Sequence, residues 1–82
     1  MSAFPALRDV VAESVELTAD ELIVSLADGR RIAVPLAWFP TLCEAPESLR
    51  SRWEFIGDGE GIHWPDLDAD VSVEGLLLGL RE

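Results

Sequence analysis

The chain has 82 residues, 49% of them hydrophobic, with sixteen acids against six basic residues and a formal net charge of −10. A chain this short makes one domain spanning 1–82, with a thin core that hides about 60–65% of the surface its unfolded chain exposes. The hydrophobic fraction excludes a disordered polyanion; the charge disfavours nucleic acid and anionic membrane as direct partners and favours basic proteins.

Residues 1–9 read as a lead-in, because Pro5 opposes regular structure. Val10–Thr18 suits a strand with Val11, Val15 and Leu17 on one face and Ala12, Ser14 and Glu16 on the other. Ala19-Asp20 is a two-residue turn. Glu21–Leu26 then alternates, with Leu22, Val24 and Leu26 facing inward and Ile23 breaking the polar face. Asp28-Gly29 is the strongest hairpin signal, since glycine accepts positive φ freely and aspartate tolerates it. The third strand, Arg30–Pro35, points Ile32 and Val34 to the core and ends at a proline that cannot donate to a ladder.

Leu36–Glu44 is apolar and helical in part, with Pro40 near a first turn. Pro46 opens a second short helix to Ser51. These pieces are expected to bury Leu36, Trp38, Phe39, Leu42 and Leu49. Trp53–Ile56 and Gly61–Trp64 form a hairpin around the loop Gly57–Gly61, and Pro65 ends it. Asp66–Asp70 reads as loop. Ser72 caps a final helix, Val73–Leu80, whose apolar stripe is Val73, Leu76, Leu77 and Leu80. The fold class is α+β: an antiparallel sheet, made of a three-stranded meander plus a C-terminal hairpin, packed with short helices and a C-terminal helix.

Targeting and redox signals are sparse. The start, Met1-Ser2-Ala3-Phe4, has no basic region followed by an apolar run. No apolar stretch approaches the roughly 18 residues that span a bilayer. Cys43 is the lone cysteine, so it has no intrachain disulfide partner, and it reads as a packed thiol. The expected setting is cytoplasmic.

Several chemical motifs fail on inspection. The Gly57–Gly61 loop leads into a strand rather than a helix, contains two acids and has no lysine, so it does not suit phosphate. Asp66-x-Asp68-x-Asp70 begins like a calcium loop, but Val71 and Leu77 stand where glycine and glutamate are needed. His63, the only histidine, lies between Ile62 and Trp64 and points opposite to both; no nucleophile–base spacing accompanies it. No cofactor, metal or catalytic set is expected.

What remains is the uneven charge. Residues 1–52 hold eight acids and five arginines, whereas residues 53–82 hold eight acids and one arginine, with none between Trp53 and Leu80. Lysine is absent. The acids around the last helix's entrance, Asp66, Asp68, Asp70 and Glu74, are the candidate partner-binding residues. Trp64 joins them under one of two readings. It is either a core aromatic or a partly exposed anchor beside the acid-rich loop.

The ordered set Asp28-Gly29-Arg30, Val34-Pro35-Leu36, Trp38-Phe39-Pro40, Trp53-Glu54, Gly61-Ile62-His63-Trp64-Pro65, Leu67-Asp68 and Ser72-Val73-Glu74-Gly75-Leu76-Leu77 resembles the bacterial family called domain of unknown function 2442, over roughly residues 10–80. The resemblance implies a small α+β fold with an antiparallel sheet and a C-terminal helix. It also implies gene pairs like those of toxin–antitoxin modules, and it carries over no catalytic residue. Ala45 departs from the pattern, since a capping Ser or Thr would be natural before Pro46. The expectation is therefore a non-enzymatic, antitoxin-like inhibitor that neutralises a basic, nucleic-acid-acting protein. The alternative is an anti-CRISPR or other anti-defence inhibitor that mimics nucleic-acid charge on a basic defence complex.

Overall fold

The computed structural model describes residues 10–82, so the lead-in expected over residues 1–9 lies outside the described residues. Three strands follow one another as an antiparallel meander: β1 (Ala12–Leu17), β2 (Glu21–Leu26) and β3 (Arg31–Pro35). Leu22, Val24 and Leu26 are almost completely buried, as their alternation predicts. Across the sheet they face Val34 and Ile32 on β3, and Leu17, Val15 and Ala12 on β1.

The pairing with Ala12 corrects the sequence reading. Strict alternation puts Ala12 on the polar face with Ser14 and Glu16. A register shift between Ala12 and Ser14 takes up one extra residue and turns Ala12 into the core. Both turns form as expected. Thr18 N–H donates to the Glu21 carbonyl at 2.9 Å across Ala19-Asp20. At the second turn Gly29 has φ +97°, and Asp28 accepts from the Arg30 amide and side chain.

A 3-10 turn (Leu36–Trp38) leads into α1 (Pro40–Glu44), which has Pro40 in its first turn. The second helix, α2, spans Glu47–Arg50, with Pro46 at the N-cap rather than inside the helix, and no side chain caps it. Leu36, Phe39 and Leu42 are buried, Trp38 packs partly buried against them, and Leu49 is only half-buried. Cys43 is exposed, not packed: α1 turns Leu42 inward and its neighbour outward.

The C-terminal half forms a second antiparallel sheet of three strands, β4 (Glu54–Ile56), β5 (Gly61–Trp64) and β6 (Ala69–Ser72). The sequence reading expects only the first two. β6 takes over Ala69 and Asp70, the last two residues of the span read as loop, and the final helix, α3 (Val73–Leu77), follows it directly. Ser72 caps α3 by accepting from the Gly75 amide at 2.9 Å, as expected. The helix ends three residues earlier than its apolar stripe suggests. Gly79, at φ +77°, closes it: Leu80 N–H donates to the Gly75 carbonyl and Gly79 N–H to that of Leu76. Leu78 and Leu80 are left exposed.

The glycine loop joins the two sheets. The Ala12 amide donates to the Gly59 carbonyl at 2.7 Å, and the Val73 amide to the Glu60 carbonyl at 2.9 Å. Gly59 is buried at φ +107°, and a Cβ there would lie 2.5 Å from the Ala12 carbonyl oxygen. Ile62, Trp64, Val71, Val73 and Leu76 then share one core with the β2 face and with Leu36, Phe39 and Leu42.

Candidate functional site

Trp64 belongs to the core. It is fully buried, and its indole N–H donates to the Arg50 carbonyl at 2.9 Å, which satisfies its one polar atom. The anchor reading of Trp64 is thereby corrected. Position parity on β5 puts Trp64 on the same face as Ile62, and both are fully buried in the core. The turn that follows is chemically specified. Pro65 supplies the fixed φ of its second position, Leu67 N–H donates to the Trp64 carbonyl at 3.1 Å, and Asp68 takes φ +50°.

The four acids do not form one cluster. Asp66 sits in the turn and faces Arg52, with 3.6 Å between Oδ2 and Nη1; both side chains are well solvated, so the pair contributes little to stability. Asp70 lies on the outer face of β6 and is hydrogen-bonded to His63 Nδ1. Glu74 stands in the first turn of α3, where its charge suits the helix dipole. Asp68 and Asp70 come together along one groove of about 320 Å³, bounded by β6, by Phe39, Thr41 and Leu42, and by the C-terminal residues. Asp66 and Glu74 are not part of its lining.

Two features of this region escape the sequence reading. The first is Glu82. Its carboxylate accepts from the Thr41 amide at 2.9 Å and from the Thr41 hydroxyl at 2.6 Å, while its own amide donates to the Trp38 carbonyl at 3.0 Å. The Thr41 hydroxyl, and then the Thr41 amide, hold the Glu82 carboxyl below the usual range. Arg81 lies over the Trp38 ring, 4.7 Å from its centroid. The C-terminal residues are thus tied to α1 and form one wall of the groove. Contacts spanning 41 residues leave no local pattern to read.

The second feature is a row of charge across the second sheet. His63 is directly opposite Asp70 on one side and Glu54 on the other. The Asp70 hydrogen bond raises the His63 pKa above the ordinary histidine value, with lesser help from the charges of Asp70 and Glu54. The pair resembles a base with its orienting carboxylate. Ser72, the hydroxyl nearest in strand register, turns its oxygen to the α3 amide instead. The row could have been found only by recognising β6 first.

A second hollow of about 500 Å³ separates β1 from α2, and Leu17, Glu47, Arg50 and Trp53 are among its walls. Among the described residues, no group of three or more His, Cys, Asp or Glu side chains is placed to hold a metal ion. None of the described helices is long and apolar enough to cross a membrane.

Comparison with known proteins bears on the fold and the lineage. The family model described as "Protein of unknown function (DUF2442)" matches residues 12–82. A crystal structure of a protein of unknown function from Rhodospirillum rubrum is similar with a TM-score of 0.77 and 29% identity, over 90% of this chain and 92% of that one. The solution structure of the uncharacterized protein CV0863 from Chromobacterium violaceum is similar in fold, with a TM-score of 0.74 and 24% identity, over 88% of this chain and 68% of that one. No curated protein matches.

Proposed function

The chain belongs to the DUF2442 family, and from that premise we propose that it is a non-enzymatic binding module, an antitoxin-like inhibitor that neutralises a basic, nucleic-acid-acting protein. One observation carries the reading. The carboxylates of Asp68, Asp70 and Glu82 border a single groove, within a C-terminal half that has no arginine or lysine between Trp53 and Leu80. Arg81 is the one basic residue in the lining and lies over Trp38, so acid predominates, and a surface with one dominant sign steers an oppositely charged partner and speeds its encounter, most strongly at low salt. The pairing of Asp66 with Arg52 and of Asp70 with His63 reduces, without cancelling, the negative field there.

The test is a matched charge replacement. Asp66, Asp68 and Asp70 changed to Asn, together with Glu74→Gln, are expected to weaken binding to the co-purified partner at low salt. Glu13→Gln, Glu16→Gln and Glu21→Gln with Asp20→Asn, on the first sheet and its turn, removes the same four charges from exposed positions and is expected to leave it nearly unchanged. Co-expression of the wild-type chain should relieve growth inhibition by the partner, and the variant of Asp66, Asp68, Asp70 and Glu74 should not. Equal behaviour of the two variants would show that the acidity acts only on solubility.

A further inference from the structure

An edge strand presents unpaired backbone groups that another chain can use. Four strands border the two sheets: β1, β3, β4 and β6. Three are blunted. β1 carries the bulge, and its Ala12 amide is taken by Gly59. β3 ends in Pro35, and β4 is three residues long. β6 has neither a bulge nor a proline.

The direction of its backbone groups follows from one bond. The Val73 amide donates to the Glu60 carbonyl, so the bonded pairs in this ladder are Glu60 with Val73, Ile62 with Val71, and Trp64 with Ala69. Asp70 and Ser72 occupy the alternate positions. Their N–H groups, and the Asp70 carbonyl, therefore point away from β5. Among the described residues these groups have no backbone partner. The groove of about 320 Å³ runs along this same edge.

We propose that the β6 edge is a docking site for an extended, arginine- or lysine-bearing segment of a partner protein, which adds a fourth strand to the second sheet along Ala69–Ser72. The proposal rests on the reading that the partner is basic and states how it is held. Charge selects the occupant. Asp68, Asp70 and Glu82 border the groove, and Arg81, its one basic residue, is engaged with Trp38. A second copy of this chain is disfavoured, because antiparallel β6 against β6 brings the Asp68 and Asp70 carboxylates of one molecule near those of another, each molecule carrying a net charge of −10. Alternate side chains of the incoming strand would fall on opposite faces, one set beside Asp70 and the other over Phe39, Leu42 and Leu76. Basic residues alternating with apolar ones fit both.

The experiment uses a short synthetic peptide alternating arginine with valine, and the same peptide N-methylated through its central residues. Methylation keeps the charge, removes the donor that would meet the Asp70 carbonyl, and sets methyl groups where the two backbones must approach, so the ladder cannot form. With the protein nine-tenths saturated by the first peptide, amide exchange at Asp70 and Ser72 should slow about tenfold, and the methylated peptide should not produce that protection. If both peptides bind alike and neither protects those amides, edge docking is wrong while the acidic-surface reading stands. If neither binds at low salt, both fail. A dimer that protects Asp70 and Ser72 without peptide would overturn the proposal in favour of self-pairing.

Discussion

Gly59→Ala tests the clasp between the sheets, and Gly29→Ala provides its control. Both glycines have positive φ, +107° and +97°, so an alanine at either is strained by about 1–2 kcal/mol. They differ in surroundings. At Gly29 nothing lies within 4 Å of a new Cβ, whereas at Gly59 the Ala12 carbonyl oxygen lies at 2.5 Å. That obstacle is backbone in a paired strand and cannot rotate away. Relief requires the loop to withdraw from β1, which stretches the 2.7 Å bond from the Ala12 amide and costs about 1 kcal/mol more, with lost packing added. The expected losses are about 3–4 kcal/mol for Gly59→Ala and about 1–2 for Gly29→Ala. A domain of this size has roughly 4–12 kcal/mol in all, so the first variant should be visibly frayed at room temperature. Urea unfolding at equilibrium, followed by tryptophan fluorescence, measures both. Losses equal to within about 0.5 kcal/mol would refute the close approach of the loop to β1.

Three further predictions follow from single contacts. Trp64→Phe keeps an aromatic ring but strands the Arg50 carbonyl; it should cost about 1–3 kcal/mol in urea unfolding, and an unchanged midpoint would contradict the buried indole bond. Ser72→Ala removes the α3 cap and should cost about 1 kcal/mol, with amide exchange at Gly75 accelerated. His63 should titrate by NMR above the ordinary value of about 6.5, and Asp70→Asn should lower it. Because the folded pKa is the raised one, the stabilisation from this pair is complete below about pH 6.5 and fades as pH rises through the folded value. A His63 titration at or below the ordinary value would remove the pair.

Much of the fold is legible in the sequence because its strands alternate cleanly and its turns use residues with few other uses. Leu22, Val24 and Leu26 announce a core face, and Asp28-Gly29 announces the hairpin beside it. β6 is less legible. Ala69–Ser72 contains one large apolar residue, Val71, and follows acids whose spacing suggests loop. Pro65 and Asp68 were the available signal for a hairpin, since one presets a turn and the other tolerates positive φ. Missing β6 also hid the His63–Asp70 pair and the open edge. The bulge at Ala12 and the Glu82–Thr41 contact have no comparable signal, because one depends on register and the other on distant chain meeting distant chain. The candidate acids could be named from charge alone. Which of them pair with a neighbour and which line the groove, Asp70 doing both, required the fold.

The most direct measurement of the central claim is the affinity of the arginine–valine peptide at low salt for three chains: wild type, Asp68→Asn with Asp70→Asn, and Glu13→Gln with Glu16→Gln. Both variants remove two negative charges, so general attraction falls equally. The groove variant should bind roughly five- to tenfold more weakly than wild type, from two partly desolvated ion pairs of up to about 1 kcal/mol each, and the first-sheet variant should bind within about twofold of it. Equal weakening in both variants would mean that the peptide senses net charge and not the β6 groove.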